Sequence, residues 1–413
     1  MKFEQIDLGK IAEVLTGFPF KSKEFNEEGL GYFLIRGKNV SESFIKKGKD
    51  AKFWNHNLDK KMEKYLLKEN DIVIGMDGSK VGKNVSKIST GEVPSLLVQR
   101  VARLRVKEGY DQNFLYYHFF NNRFNNYVNS IKTGTSIPHI SPKQISEYQV
   151  TNFPINEQKR VVSIIEPILE KIELNNQIIA TLEELAATLF KRWFVDFEFP
   201  DENGNPYKSS GGKMVDSELG EIPEGWKCGI LNDLFYFSPK ETLKKETITT
   251  EIEMKSLGTS AMIPTWSKNR FKGSGTKFRN GDTILARITP SLENGKIGFI
   301  DMLSDNEVGF GSTEYIVIRS KENEHKFLSY FYAIQPDFKG YAIINMNGSS
   351  GRQRVKAETL GAYQSVIPNK YYLSKFNNTI EPIMSEMTML RNQNRIISEM
   401  RNSLLPKLLS GEV

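Results

Sequence analysis

Residues 166–177 of this chain read EPILEKIELNNQ, and residues 381–393 read EPIMSEMTMLRNQ. Each stretch lies inside a long segment whose apolar residues recur at alternating steps of four and three, which is the spacing of a coiled-coil seam. Two such segments with nearly the same start indicate either a coincidence or a duplicated chain. The order of the other features decides between these interpretations.

Features outside the helical segments recur in the same order in both halves of the chain. A strand and turn come first, a turn ending in Asp then precedes a β-branched strand, a short aromatic helix follows, and a serine-containing turn comes last. The matched pairs are IDLGKI (6–11) with GILNDL (229–234), KENDIVIG (68–75) with RNGDTILA (279–286), FLYYHFF (114–120) with FLSYFYA (327–333), and GTSIPHIS (134–141) with GSSGRQRV (348–355). This order predicts a duplicated unit of mixed structure, with strands near 71–75, 97–106, 282–288 and 314–319.

The two helical segments are predicted to pack on each other. Each is about 40 residues long, which corresponds to a helix of about 60 Å, and a single domain rarely needs such a helix for itself. One asparagine stands in each seam, Asn175 in the first and Asn394 in the second. A seam asparagine costs stability but fixes the register of the pair. The alternative is two unrelated amphipathic helices, each packed on its own domain.

The repeat divides the chain into predicted segments. They are a first globular unit at 1–154, a first helical spacer at 155–198, a linker at 199–225, a second globular unit at 226–368 and a second helical spacer at 369–413. The linker is rich in Gly, Pro, Ser and Asp without an apolar period, so it is predicted to be a connecting loop. The predicted fold class is α+β.

Composition argues against several classes of protein. The chain has 413 residues, one cysteine and four scattered histidines, so neither a disulfide framework nor a metal site is expected. Its start lacks the apolar region of a signal peptide, and no stretch approaches the ~20 apolar residues of a membrane span. These features predict a cytoplasmic protein. A net charge of +6 and a pI near 8.9 favour a polyanionic partner only weakly.

No motif of a catalytic site is complete. Residues 75–84 read GMDGSKVGKN, but only three residues separate Gly78 from Gly82, and Asn84 stands where a P-loop needs Ser or Thr. The Asn/Asp-Pro-Pro-Tyr motif of amino-methyltransferases does not occur, and neither does His-Glu-x-x-His or Gly-x-Ser-x-Gly. We therefore expect that the chain is not an enzyme.

Basic and polar loops of the globular units are the candidate binding sites. Lysines position a protein on phosphates, whereas Arg, Asn, Gln and Ser read base edges, and serine-containing turns offer N–H groups and hydroxyls to phosphate oxygens. The candidate DNA-binding residues are Lys80, Lys83, Thr135, Ser136, His139, Arg287, Lys296, Ser349, Ser350, Arg352, Gln353 and Arg354. For any single lysine, a solvated surface charge is the alternative.

Over essentially its whole length, the chain resembles the specificity (S) subunit of type I restriction–modification systems. The resemblance rests on the duplicated order of units and on four stretches of sequence. They are NEQKRVVSII (156–165), KIELNNQIIATLEELAATLFKRWFVDFEFP (171–200), SSGGKMVDSELGEIPEGWK (209–227) and the ending NSLLPKLLSGEV (402–413). The two units have diverged, as GTSIPHIS against GSSGRQRV shows, so no base-contacting residue is carried over from the family.

The resemblance implies two target-recognition domains that are related by pseudo-two-fold symmetry and separated by two long antiparallel coiled-coil helices. Each domain would read one half of a bipartite, asymmetric site in double-stranded DNA, and the helices would set the spacing between the halves. Two adenine methyltransferase subunits would dock on the helical regions, and two restriction subunits would complete the complex. S-adenosylmethionine, ATP and Mg²⁺ would bind to these partners, and the chain itself would bind no cofactor.

Two other functions stay open at this point. In the first, the chain is part of a DNA-modifying enzyme with its own activity, and the missing catalytic motifs argue against it. In the second, the chain is a coiled-coil scaffold whose globular ends bind proteins. Salt distinguishes this scaffold from a DNA-binding protein, because DNA binding weakens steeply with salt and an apolar protein interface does not.

Overall fold

The chain, described here as a computed structural model, divides into two compact units, which we call unit 1 and unit 2. Unit 1 comprises residues 1–173 and 394–413, and unit 2 comprises residues 174–393. The structure describes residues 3–48, 50–120, 122–132, 138–258, 261–349 and 351–412. Both divisions fall inside a long helix, so each unit contains a globular part and a portion of both long helices.

Unit 1 is built from short strands and helices around its portions of the two long helices. Its strands are β1 (Gln5–Asp7), β2 (Ala12–Thr16), β3 (Tyr32–Ile35), β4 (Phe53–Trp54), β5 (Leu66–Leu67), β6 (Ile72–Gly75), β7 (Val85–Lys87), β8 (Ser95–Leu97), β9 (Val101–Val106) and β10 (Gln149–Thr151). Its α-helices are α1 (Leu8–Ile11), α2 (Gln112–Tyr117), α3 (Asn122–Ile131), α4 (Pro142–Ser146) and the first part of α5 (Ile155–Phe194). Single 3₁₀ turns span Ser22–Glu24, Gly37–Asn39, Glu63–Tyr65 and Thr90–Glu92.

The sheets of unit 1 place β6 and β8 at their centres. One antiparallel sheet has the strand order β2-β9-β6-β7, and a second has the order β4-β3-β8-β5, in which β3 and β8 run parallel. β1 and β10 form an antiparallel pair. Every residue of β6 and β8 is buried, which explains why β6 is a continuous apolar run rather than an alternating one.

Unit 2 has its own set of elements. Its strands are β11 (Met214–Val215), β12 (Ile222–Pro223), β13 (Lys227–Ile230), β14 (Phe235–Phe237), β15 (Ile248–Ile252), β16 (Ser267–Arg270), β17 (Thr276–Phe278), β18 (Asp282–Ala286), β19 (Ile297–Phe299), β20 (Gly309–Gly311), β21 (Tyr315–Ser320) and β22 (Gln364–Ile367). Its α-helices are α6 (Leu328–Ala333), α7 (Pro336–Ile344), α8 (Ala357–Gly361) and the first part of α9 (Lys370–Ser410), with 3₁₀ turns at Leu231–Asp233, Met254–Ser256 and Asn323–His325.

The sheets of unit 2 follow the strand order of unit 1. One has the order β14-β21-β18-β19 and another has the order β16-β15-β20-β17, in which β15 and β20 are the parallel pair. β13 and β22 pair in the same way as β1 and β10. The hairpin of β11 and β12 stands apart from this correspondence. Matched features of the sequence therefore occupy matched elements: KENDIVIG leads into β6, and RNGDTILA leads into β18.

A buried aspartate–arginine fork stands at the start of the same central strand in each unit. In unit 1, Asp71 accepts hydrogen bonds from Nε and Nη2 of Arg105 at 2.8 and 2.7 Å. In unit 2, Asp282 accepts from Nε and Nη2 of Arg319 at 2.6 and 2.7 Å. Each carboxylate also accepts a backbone N–H three residues earlier in the chain. Because both aspartates are almost fully buried, they need these charge-assisted partners to remain in the core.

The long helices pack antiparallel within unit 2. Phe194, near the end of α5, contacts Phe376 of α9 with ring centroids 4.9 Å apart, and Trp193 contacts the same ring at 5.5 Å. At the other end of this portion, Asn175 of α5 donates to Gln393 of α9. The order of these contacts runs in opposite directions along the two helices, which is the antiparallel arrangement.

Unit 1 contains the complementary portions of the two helices. Val161 and Ile165 of α5 share one buried core with Leu405 and Leu408 of α9. Both helices continue through the prolines that interrupt their apolar pattern, so α5 spans Ile155–Phe194 and α9 spans Lys370–Ser410 without a break. Tertiary packing thus outweighs the lost backbone hydrogen bond of each proline.

The prediction of one strand over 97–106 is wrong. β8 ends at Leu97 and β9 begins at Val101, and the two strands belong to different sheets. Between them Arg100 has a φ of 68°, a left-handed conformation that cannot continue a strand. Gln99 and Arg100 interrupt the apolar run here, but no glycine or proline marks the break.

The segment 199–225, predicted to be a connecting loop, contains more regular structure than its composition indicates. This segment contains the hairpin of β11 and β12, and Phe199 at its start is fully buried. The ring of Phe199 stacks on Tyr207 at 4.5 Å and on Trp226 at 4.9 Å. The buried aromatic rings fix the segment on unit 2 despite its loop-like composition.

The predicted α+β class is confirmed by these mixed sheets and helices. Within the described part of the chain, no helix has both the length and the apolar character that crossing a membrane requires.

Candidate nucleic-acid interface

Backbone hydrogen bonds join three loops of unit 1, which we call loop cluster 1. They are the turn after β6 (76–84), the connection from β8 to β9 (98–100) and the segment before α4 (138–141). The N–H of Met76 donates to the carbonyl oxygen of Arg100 at 3.0 Å, and the N–H of Ile140 donates to that of Met76 at 2.9 Å. The N–H of Gly78 donates to the carbonyl oxygen of Pro138 at 3.0 Å. The three loops are therefore held together by the main chain, and their side chains are free to vary.

An ion pair stands in loop cluster 1. Nη1 of Arg100 donates to Oδ2 of Asp77 at 2.7 Å, while the Arg100 side chain remains 65% exposed. Asp77 forms an isolated β-bridge with His139, which is half-buried. The left-handed backbone of Arg100 is uncommon for a residue with a long side chain. Such outliers cluster at binding sites, where the surroundings fix them.

The same three loops meet in unit 2, and we call them loop cluster 2. They are the turn after β18 (287–296), the connection from β20 to β21 (312–314) and the segment before α8 (347–356). The N–H of Arg287 donates to the carbonyl oxygen of Glu314 at 3.0 Å, and the N–H of Val355 donates to that of Arg287 at 3.0 Å. The N–H of Thr289 donates to the carbonyl oxygen of Gln353 at 3.1 Å. Each of these three hydrogen bonds has an equivalent in loop cluster 1, so the two clusters share one main-chain scaffold.

Two arginines converge on one carboxylate in loop cluster 2. Nη2 of Arg354 donates to Oε1 of Glu314 at 2.7 Å, and Nε of Arg354 donates to Oε2 at 2.9 Å. Nε of Arg287 lies 3.6 Å from Oε2 of the same carboxylate. The hydrogen bonds from Arg354, followed by the charges of both arginines, lower the pKa of Glu314, and its hydrogen bonds raise the pKa of Arg354. About a third of each arginine side chain is exposed.

The segment before α8 forms a tight turn that presents a third arginine. Asn347 and Arg354 exchange backbone hydrogen bonds at 2.9 Å, and the N–H of Arg352 donates to the carbonyl oxygen of Ser349 at 3.0 Å. Gly348 has a φ of 133°, and a β-carbon there would lie 2.9 Å from the carbonyl oxygen of Arg352, so the turn requires glycine. Arg352 and Ser349 are exposed at its tip.

The two clusters place different chemical groups on the same scaffold. The equivalent positions are Met76 and Arg287, Arg100 and Glu314, and His139 and Arg354. Cluster 1 thus presents one arginine, one carboxylate and an imidazole, whereas cluster 2 presents two arginines around a carboxylate. The two clusters are therefore expected to recognise different ligand groups, since two sites for the same ligand group would carry the same side chains.

The structure places the other candidate residues as follows. Lys80 and Lys83 are exposed on the turn after β6, and Gln353 is half-buried in loop cluster 2. The ammonium group of Lys296 donates to the carbonyl oxygen of Met254 at 2.7 Å, so it also stabilises the fold. Thr135, Ser136 and Ser350 lie outside the described residues. That these residues contact DNA stays a prediction.

The two seam asparagines occupy buried or half-buried positions on the long helices. In unit 2, Nδ2 of Asn175 donates to Oε1 of Gln393 at 2.8 Å, and Asn175 is fully buried. In unit 1, Nδ2 of Asn394 donates to the carbonyl oxygen of Ile172 at 3.4 Å. Each amide therefore has a partner on the opposite helix. A polar contact of this kind penalises other registers of a helix pair.

Three residues of the clusters were not among the sequence candidates: Asp77, Arg100 and Glu314. Arg100 lay hidden inside the strand that was predicted over 97–106, and Glu314 lay at the start of the strand predicted over 314–319. An alignment of the two halves places Arg100 and Glu314 at the same position. The opposite charges at that position are a sequence signal that could have identified both residues as candidates.

Two kinds of sequence comparison bear on this chain. Residues 1–184 match the family described as "Type I restriction modification DNA specificity domain". The Type I restriction enzyme MjaIX specificity subunit of Methanocaldococcus jannaschii is 21% identical over 317 residues, which cover 74% of this chain and 70% of that protein. The MjaVIII specificity subunit of the same organism is 20% identical over 400 residues, which cover 94% of this chain and 88% of that protein.

A solved structure has a similar fold. The type I restriction-modification system S subunit from M. genitalium matches with a TM-score of 0.53 over 98% of this chain and 96% of that one. The sequence identity is 15%, so this similarity concerns the fold alone.

Proposed function

We infer that this chain, which belongs to the family of type I restriction–modification specificity subunits, recognises the DNA sequence on behalf of its complex. The family's members are non-catalytic recognition components. The observation that carries the proposal for this chain is the pair of loop clusters, in which one main-chain scaffold bears two different sets of charged side chains.

Each loop cluster reads one half of a bipartite, asymmetric site in double-stranded DNA. In unit 2, Arg354 and Arg287 are the residues that recognise a guanine of the half-site. A guanidinium binds O6 and N7 of guanine with two hydrogen bonds. Glu314 holds Arg354 in a fork of 2.7 and 2.9 Å, so little side-chain entropy is lost when a base is bound. In unit 1, Arg100 and Asp77 supply a donor and an acceptor, and the half-site therefore differs.

The long helices set the spacing between the two half-sites and dock two adenine methyltransferase subunits. Several apolar side chains of α5 and α9 are about half exposed, and they are Leu174, Leu185, Met389, Ile396 and Met400. Apolar residues at these positions fit a protein partner better than water. Two restriction subunits complete the complex in the cytoplasm, and S-adenosylmethionine, ATP and Mg²⁺ bind to the partner subunits.

The test is an exchange of the globular part of unit 2 between specificity subunits. Residues 226–368 are replaced by the same segment of a family member with a known site, and the chimera is produced with the methyltransferase subunit of this system. We expect methylation of a site in which one half is unchanged and the other half is the donor's. A change in both halves, or in neither, contradicts two independent readers.

A further inference from the structure

Arg401 of α9 interrupts an apolar row. It lies in the predicted seam of the helix, three residues before Leu404 and seven before Leu408, both of which pack in the core of unit 1. Its counterpart in the other long helix is Ala186, which is fully buried in the core of unit 2. An arginine at such a position costs desolvation energy, and no feature of the fold requires it.

The hydrogen bonds of the Arg401 guanidinium go to an amide oxygen rather than to a carboxylate. Nε and Nη2 donate to Oδ1 of Asn402 at 3.1 and 2.9 Å, and the guanidinium forms no ion pair with any residue that the structure describes. The side chain is half-buried, and this burial lowers the pKa of Arg401, against the opposing charge of Glu42 at longer range. A guanidinium with its donors uncommitted to a carboxylate is the pattern of an anion-binding residue.

Arg401 shares a depression with a lysine of loop cluster 1. A cavity of about 140 Å³ is lined by Arg401, Lys83, Asn125 and Ser43. An adjoining cavity of about 380 Å³ extends it along the turn after β6 to Lys80. Lys80 and Lys83 are exposed, and neither ammonium group forms an ion pair within the described residues. We call this surface the cationic groove of unit 1.

The corresponding place in unit 2 has a more apolar lining. Gly295 there follows β18 as Gly82 follows β6, and it lines a cavity of about 270 Å³ together with Leu292, Ile297 and Phe338. Phe338 is buried as Phe124 is in unit 1, and Lys339 lies beside Gly295 as Asn125 lies beside Gly82. A lysine therefore lies near this turn in both units, and Arg401 is what distinguishes unit 1, because its counterpart Ala186 carries no charge.

We propose that the cationic groove of unit 1 binds a phosphate group of the DNA backbone, with Arg401 and Lys83 as its contacts. This proposal rests on the proposed function. Arginine binds phosphate oxygens with two parallel hydrogen bonds, and phosphate contacts fix the register of a protein on DNA without reading its sequence. Because Arg401 stands on α9 and Lys83 on loop cluster 1, one bound phosphate ties the duplex to both elements of unit 1.

Glu42 also lines the groove. Its carboxylate reduces the net positive charge of the groove and repels a phosphate. A variant of Glu42 therefore tests whether charge in the groove determines DNA affinity. Removing this charge should tighten DNA binding, whereas removing either cation should weaken it.

The experiment measures DNA binding by the complex of this chain with its methyltransferase subunits over a range of salt concentrations. Arg401→Met and Lys83→Met each remove one phosphate contact, so each should lower the slope of log K against log salt by about 1. Each should weaken binding roughly 10-fold at low salt, while the methylated motif stays the same. Glu42→Gln should shift affinity in the opposite direction. Arg395→Met is the matched control, because Arg395 lies on the same helix, is exposed and pairs with Glu399.

The outcomes separate this proposal from the proposed function. Equal slopes for Arg401→Met, Lys83→Met and Arg395→Met, with specific binding intact, overturn the groove and leave the recognition function standing. Absence of specific binding by the unaltered complex overturns the recognition function itself. Lys83 is exposed, so its variant keeps the test valid if Arg401→Met unfolds unit 1.

Discussion

Arg354 donates hydrogen bonds from two nitrogens to the carboxylate of Glu314 in loop cluster 2. The position equivalent to Arg354 in loop cluster 1 is His139, which lies near the Arg100–Asp77 ion pair. Each unit therefore holds an arginine by a carboxylate on the same scaffold, but the two partners come from different loops. The acidic partner follows β6 in unit 1 and precedes β21 in unit 2. An exchange of this kind changes the pattern of donors and acceptors without disturbing the main chain.

The first prediction concerns Arg354. Arg354→Lys keeps the positive charge but loses the two-pronged geometry that a guanine edge requires, so discrimination at one base pair should fall by about 1–3 kcal/mol. Binding to oligonucleotides that vary at each position of the site measures this loss. Arg100→Lys is the reciprocal variant and should relax one position of the other half-site.

The control for Arg354 is Arg270→Lys. Arg270 is more than half exposed and pairs with Glu246 outside loop cluster 2, so its variant should retain full discrimination. If Arg354→Lys also retains it, loop cluster 2 does not read the base through this residue.

The second prediction concerns the buried fork of unit 2. Asp282→Asn removes the buried carboxylate of the fork and leaves Arg319 with Glu241, whose Oε1 lies 2.7 Å from Nη1. Breaking a buried pair of this kind should cost roughly 3 kcal/mol of the free energy of unfolding. Urea unfolding of the variant and of the unaltered chain measures the cost. Glu246→Gln removes an exposed ion pair and should cost less than about 1 kcal/mol. Similar costs for the two variants would mean that the fork contributes no more than a surface pair.

The third prediction concerns acid stability. His118 is fully buried beside Phe114, and both of its ring nitrogens lack a hydrogen-bond partner within the described residues. Burial, followed by the charge of Arg123, lowers the pKa of His118 from 6.5 to about 3. The unfolded chain then binds a proton that the folded chain does not, so stability is full above pH 6.5 and falls as the pH drops toward 3.

Replacing the imidazole removes this linkage. Between pH 7 and pH 5, the unaltered chain should lose roughly 2 kcal/mol more of its free energy of unfolding than His118→Phe. Urea unfolding at the two pH values measures the difference. An equal loss in both proteins would show that His118 already carries a proton, or has a partner, in the folded state.

The fourth prediction concerns the helices. Residues 172–178 of α5 face the stretch 389–395 of α9, as the contacts of Asn175 and Asn394 indicate. Deleting both stretches removes one heptad from each helix and keeps the seam in phase. The helices shorten by about 10 Å, which corresponds to about three base pairs of DNA, so the gap in the methylated motif should shrink while both half-sites persist. An unchanged gap contradicts the spacing role, and a length-preserving replacement of the same residues is the control.

Much of the fold was readable from the sequence because it depends on periodicity. The 4-3 spacing in the helical segments and the recurring Asp at the start of β6 and β18 are local patterns, and both lie at the expected elements. The loop clusters were readable only in part. Arg287, Arg352 and Arg354 stood out as basic residues, but Arg100 sits in a left-handed turn that no glycine marks. The convergence of three loops depends on contacts between distant residues, which composition and spacing do not encode.

The linker 199–225 is a case in which composition alone underestimates the structure. Its Gly, Pro, Ser and Asp content is typical of a loop, yet three aromatic rings fold it onto unit 2. Lys296 is a similar example, because its ammonium group is committed to the carbonyl oxygen of Met254, a contact that no sequence motif predicts.

The central claim is that this chain determines which DNA sequence a methyltransferase modifies. Methylome sequencing of cells that carry the chain with its methyltransferase subunit, against cells that lack only the chain, tests it most directly. We predict methyladenine at one two-part asymmetric motif, with a fixed gap, in the first cells alone. If the methyltransferase is active and no motif depends on the chain, the account is contradicted.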